Sequence, residues 1–130
     1  MATERRIPVA DTRTQGLEVL KQLLPGLPDD VTSLRDGGVA DELGDLSLDH
    51  VFGALWTRPG LDRRSRSLVT LGALIALRAS DELKIHFQIA LNNGLTLEEI
   101  EEVIYHMTGY AGYPAAVSAR KLANEVLKRS

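Results

Sequence analysis

Apolar residues recur at helical spacing along most of this chain. Between Thr14 and Leu24, Leu17, Leu20, Leu23 and Leu24 fall three and four residues apart, which lines one helix face. Pro25-Gly26-Leu27-Pro28 ends that helix. Asp29 to Gly44 is weakly patterned and interrupted by Gly37-Gly38, which predicts two short helical pieces. Ser47 is a suitable N-cap for the next helix, whose apolar face is Leu48, Val51, Phe52, Leu55 and Trp56. After the Pro59-Gly60 turn, Asp62 can cap a central helix running to about Ala79. That helix is apolar nearly all round, which predicts burial on most sides.

The second half continues in the same mode. Ser80 or Asp81 caps a helix that ends at Asn92-Asn93-Gly94, with Gly94 as the left-handed C′ residue. Thr96-Leu97-Glu98-Glu99 is a capping box, and its helix turns Ile100, Val103, Ile104 and Met107 inward. Gly112 stops it. Pro114 sits where the first turn of a last helix tolerates proline, and that helix runs to about Lys128. No strand pattern and no internal repeat interrupts the series. The prediction is an all-α fold of about six to seven helices, in one compact domain of 130 residues.

Composition narrows the partners. Aromatics are 5%, so the core is aliphatic, and hydrophobic residues at 44% suit a water-soluble domain. A net charge of -3 gives no excess of cations to neutralise phosphates, which argues against nucleic acid as a partner. With no cysteine, disulfides, thiolate metal sites and thiol redox chemistry are excluded. No leader-like apolar run is present, and Leu68 to Leu77 is too short to span a bilayer. The expectation is a cytoplasmic protein without a membrane partner. An almost wholly apolar central helix in so short a chain leaves surface that one thin domain does not cover, which predicts a homo-oligomer.

The candidate chemistry lies on three elements. Trp56-Thr57-Arg58-Pro59-Gly60-Leu61-Asp62-Arg63-Arg64-Ser65-Arg66 puts four arginines before and into the first turn of the central helix. Cations there oppose the helix dipole, so a negative group is expected beside them. The cluster reads equally as an anion clamp or as a salt-bridge set with Glu98, Glu99, Glu101 or Glu102. On the helix after Ser80, Glu82, His86, Ile89 and Asn93 form one stripe. Glu82 and His86 are four apart, and a carboxylate beside an imidazole raises its pKa toward that of a useful proton donor. The plain alternative is a surface helix pair. His106 and Tyr110 are also four apart, with Glu102 one turn earlier; His106 faces either the same cleft as His86 or the edge of the core. His50, after Asp49 at a helix start, reads as exposed.

These residues carry a resemblance. The block from Trp56 to Arg64, then Glu82-Leu83, His86, Ala90-Leu91-Asn92-Asn93-Gly94 and Thr96-Leu97-Glu98-Glu99-Ile100 resemble the carboxymuconolactone decarboxylase family in register. Tyr110-Ala111-Gly112-Tyr113-Pro114-Ala115-Ala116 is similar to the family's Tyr-Cys-Gly-Val-Pro-Ala-Ala segment. The match runs from about Phe52 to Val126. It implies an AhpD-like helical fold, with a variable N-terminal helical segment over 1–49 and a carboxymuconolactone decarboxylase-like domain over 50–130. It also implies assembly as a homo-oligomer, commonly a trimer of dimers.

Within the family, the alkylhydroperoxidase D branch uses a Cys-x-x-Cys-x-x-x-His pair and a nearby glutamate. Here Ala79 and Glu82 stand at the cysteine positions and Ser67 at the glutamate position, so thiol peroxidase activity is excluded. The resemblance then implies the cofactor-free branch, which decarboxylates 4-carboxymuconolactone. His86, oriented by Glu82, would supply the proton, and Arg58 with Arg63 or Arg64 would hold the substrate carboxylates. His106 and Tyr110 would complete the small anionic substrate's pocket. His106-Met107-Thr108, Ala111 and Tyr113 depart from the family pattern and alter that pocket's polarity and shape. Two further readings stand beside this one: a non-catalytic or small-anion-binding oligomer on the same scaffold, and a metal site from Glu82, His86 and His106.

Overall fold

The computed structural model describes residues 9–128. Among them every regular element is helical. The elements are α1 (Val9–Leu23), α2 (Leu43–Ser47), a π-helical turn (Leu48–Phe52), α3 (Arg63–Leu77), α4 (Ser80–Asn92), α5 (Leu97–Tyr110) and α6 (Tyr113–Val126). They form two compact units that meet in sequence at Gly60 and Leu61. The first eight residues of the predicted N-terminal segment lie outside the described residues.

In the first unit α1 packs on the π-helical turn. The approach is close enough that only glycine fits: a Cβ on Gly16 would run into the carbonyl of Leu48, and one on Gly53 into that of Thr12. Helix α2 passes directly into the π-helical turn, where Gly53 N–H reaches back to the Leu48 carbonyl at 2.8 Å. Ser47 is therefore inside a helical run and not at its start, contrary to the sequence-based expectation; its hydroxyl donates to the Gly44 carbonyl at 2.6 Å.

The short helical pieces predicted between Asp29 and Gly44 do not form. Side chains take the backbone N–H groups instead, the usual competition that Asp and Ser offer a helix. Asp45, buried on α2, accepts from Leu34 N–H at 3.0 Å and from the Ser33 hydroxyl at 3.0 and 3.1 Å. Asp41 accepts from Asp36 N–H at 2.8 Å and from Gly37 N–H at 3.1 Å. Arg35 donates to Asp45 at 3.1 Å, and Arg13 meets Asp49 through two bonds of 2.9 and 2.7 Å.

In the second unit α3, α4, α5 and α6 pack around one core. Leu71 and Ile75 of α3, Leu83, Phe87 and Ala90 of α4, Ile100 and Ile104 of α5, and the small Ala115, Ala116 and Ala119 of α6 fill it. Phe87, fully buried, is the aromatic member of an otherwise aliphatic core, as the composition predicted. Local signals set the helix ends. Asp62 caps α3, accepting from Ser65 N–H at 2.7 Å. Thr96 and Glu99 form the predicted capping box, with bonds of 3.1 and 3.0 Å. Gly94 takes the left-handed C′ conformation (φ +96°). Pro114 falls in the first turn of α6.

Two expectations are corrected here. The N-cap of α4 is Ala79, and no side chain caps it. Helix α3 is not buried on most sides: its buried residues are Ser67, Leu71 and Ile75, while Val69 and Leu77 remain 65% and 75% exposed. Leu68 and Leu74 pack partly against the core.

Candidate functional site

Helix α4 presents Glu82, His86, Ile89 and Asn93 along one face, because residues three, four and seven apart align on a helix. Glu82 is exposed, His86 is half-buried, Ile89 is fully buried and Asn93 is half-buried. The expectation that Glu82 raises the His86 pKa is overturned in sum. Burial of the imidazole pushes it below 6.5, and the opposing pull of the Glu82 carboxylate is the smaller effect. His86 is therefore mainly neutral at neutral pH.

The start of α3 carries the arginines, and the negative groups expected beside them are present. Arg64 forms an ion pair with Glu99 of α5. The Asp62 carboxyl is held below the usual carboxylate range, first by the Ser65 N–H and then by the charges of Arg64 and Arg66. Arg66 Nε donates to the Leu61 carbonyl at 3.0 Å. For Arg64 the salt-bridge reading of the cluster thus holds within the chain. Arg63, half-buried, sits on the same turn, whereas Arg58 belongs to the first unit.

An amide that sequence reasoning left without a role ties α4 to α3. Asn93 Nδ2 donates to Ser67 Oγ at 2.9 Å and reaches the Arg63 carbonyl at 3.5 Å. Ser67, fully buried, had stood out as the residue replacing a family glutamate. Its only sequence signal as a partner was a buried-helix position opposite a polar stripe.

His106 and Tyr110 lie on α5, both exposed, with ring centroids 4.8 Å apart. His106 lines a cleft of about 540 Å³ between α3 and α5, floored by Leu68, Gly72, Val103 and Met107. Glu98, Glu99 and Glu102 also line it, and neither Glu82 nor His86 does. The structure therefore does not bring His106 into one cleft with His86, and the acidic lining disfavours an anion there. His50 is exposed, as read from the sequence, beside the buried Asp49. Among the described residues no group of three or more His, Asp or Glu is arranged to hold a metal ion. Among the same residues no helix is long and apolar enough to cross a membrane.

The model of the carboxymuconolactone decarboxylase family matches residues 41–125. The chain belongs to that family. A 4-carboxymuconolactone decarboxylase of Acinetobacter baylyi is 48% identical over 77 residues, which is 59% of this chain and 58% of that protein. A nitrosuccinic acid decarboxylase of Metarhizium robertsii is 44% identical over 75 residues, 58% of this chain and 52% of that protein. A 15.0 kDa protein of Paracoccus denitrificans is 30% identical over 112 residues, 85% of this chain and 72% of that protein. The chain thus spans little more than half the length of the two decarboxylases. The resemblance read from about Phe52 onward thus extends upstream across α2 to residue 41.

Proposed function

We propose that this carboxymuconolactone decarboxylase family member is a cofactor-free decarboxylase of 4-carboxymuconolactone or a related small carboxylated lactone or acid. The observation that carries the reading is a histidine held half-buried on α4, one helical turn from Glu82. It stands in a chain similar to two decarboxylases, one of a carboxylated lactone and one of a nitro-substituted acid.

The chemistry needs few parts. The bond to the departing carboxylate breaks and carbon dioxide leaves. The electron pair moves through the conjugated alkene into the lactone carbonyl, and the resulting enolate carbon takes up one proton. A hydrogen-bond donor at the enolate oxygen lowers that barrier, and a positioned acid delivers the proton. His86 is the proposed acid. Burial favours its neutral form, and an anionic substrate nearby draws a proton onto it, because an opposite charge favours the charged form. Glu82 orients it. Arg63 is the proposed cation for the substrate carboxylates. Arg64 serves only where a substrate carboxylate shares it with Glu99. His106, in the acidic α3–α5 cleft, and Tyr110, whose ring lies against it, are proposed at most to border the substrate.

The exposed Val69 and Leu77 of α3 support assembly of the chain into a homo-oligomer, proposed as a cytoplasmic trimer of dimers. Light scattering after size exclusion reads this as a mass six times the 14.2 kDa of one chain. The reaction itself is tested by carbon dioxide release from 4-carboxymuconolactone, run beside His86→Ala. Turnover that disappears in the variant supports the assignment. Turnover equal in both removes His86 as the acid, and no turnover in the parent removes this substrate.

A further inference from the structure

We infer that Asn93 is a positioning residue: its side-chain amide clasps the arginine-bearing start of α3 and thereby fixes the roll of the helix that carries His86. The inference rests on the proposed role of His86 in decarboxylation.

The clasp has two points. Asn93 Nδ2 donates to Ser67 Oγ at 2.9 Å and reaches the Arg63 carbonyl at 3.5 Å. Arg63 and Ser67 are four apart, so the amide spans one turn of α3. Ser67 is 1% exposed, so water does not readily replace the lost donor, and removing a partner from a buried polar group is the costly case. Asn93 is not needed to end its own helix by side-chain capping. Its backbone N–H bonds the Ile89 carbonyl at 2.8 Å, and Gly94 provides the left-handed turn.

Geometry carries this to the site. Seven residues separate His86 from Asn93, which is two helical turns to within about 20°. Both therefore share a face, with Ile89 buried between them. A helix rolls as one body, so a roll that detaches Asn93 turns His86 by the same angle. At a side-chain radius of about 5–6 Å, a roll of about 20° displaces the imidazole by about 2 Å. A misplacement of about 1 Å is enough to slow a positioned reaction roughly 100-fold. The same clasp holds the backbone of Arg63, a proposed substrate cation, in register with the helix of the proposed acid. Asn93 touches no reacting atom in this scheme.

The test uses the full chain and the variants Asn93→Ala, Ser67→Ala and their combination. The readout is the titration of the His86 imidazole by NMR, its signal assigned with His86→Gln. Glu82, the charged group that bears on this imidazole, is unchanged throughout. The expected result is a rise toward the ordinary 6.5 in each single variant as α4 loosens and water returns. The double variant should shift no further than Asn93→Ala, since that change already removes both points of the clasp. In turnover, kcat should fall about tenfold or more, with KM changed less. Ser67→Ala favours helix, so it keeps the test open if Asn93→Ala does not fold. An unchanged His86 titration in a variant that keeps its helical circular dichroism overturns the clasp. The titration needs no substrate, so a parent without turnover removes the decarboxylase reading and leaves the clasp to be judged by NMR.

Discussion

Phe87→Ala is the sharpest probe of how α4 is rolled in the second unit. Phe87 is fully buried and sits among Leu71, Ile75, Ile100 and Ala116 in one core. A buried phenylalanine removes about 150–250 Å² from water. Alanine retains only the first carbon of that side chain, so roughly 120 Å² of burial is lost. At about 25 cal/mol per Å² that is about 3 kcal/mol. The cavity left behind adds to it, which gives the about 3–5 kcal/mol usual for Phe→Ala in a core. For a chain of this length the thermal midpoint should drop by about 11–18 °C. Gln88→Ala, the adjacent exposed position, is the control and should change stability by less than about 0.5 kcal/mol. Urea unfolding followed by far-ultraviolet circular dichroism measures both. A cost below about 1 kcal/mol for Phe87→Ala, or a larger cost for Gln88→Ala, would refute the roll of α4 and with it the half-burial of His86.

Thr96→Ala removes one arm of the capping box and should cost about 1 kcal/mol in the same assay, with Thr96→Ser nearly neutral. Gly16→Ala drives a Cβ against the Leu48 carbonyl and should cost about 1–3 kcal/mol; no loss would mean that α1 and the π-helical turn are further apart. Because the His86 pKa is depressed in the folded chain, the unfolded chain binds more protons between the folded value and 6.5. Its contribution to stability is complete above 6.5 and is lost as the pH falls through the folded value. Thermal melts from about pH 5 to 8 should therefore show a parent that gains stability with pH relative to His86→Gln; a constant difference would count against the burial of His86.

The features legible in the sequence were those decided within a few residues. The Asp62 cap, the Thr96–Glu99 box and the left-handed Gly94 each satisfy backbone groups of the same turn, so local chemistry suffices. The apolar faces of α4 and α5 were readable for the same reason: helical periodicity is a local pattern. The stretch from Asp29 to Gly44 was misread because its backbone partners are side chains. Asp45 acts from 11 residues beyond Leu34, and periodicity does not register such a bond. Ser47 looked like a helix start only because α2, with its single buried residue, left no apolar stripe upstream.

At the candidate site the sequence alone determined which groups are available: His86 with Glu82 on one helix face, arginines at a helix start, and no thiol. The tertiary structure decided what state and company they keep. It set burial against Glu82 at His86 and let burial prevail. It paired Arg64 with Glu99, 35 positions away, and joined Asn93 to Ser67 across 26. It placed His106 with Glu98, Glu99 and Glu102 in an α3–α5 cleft that His86 does not line. Residue identity and helical spacing are properties of the chain, whereas desolvation and charge pairing depend on which distant helices pack together. Only the folded arrangement fixes those distances.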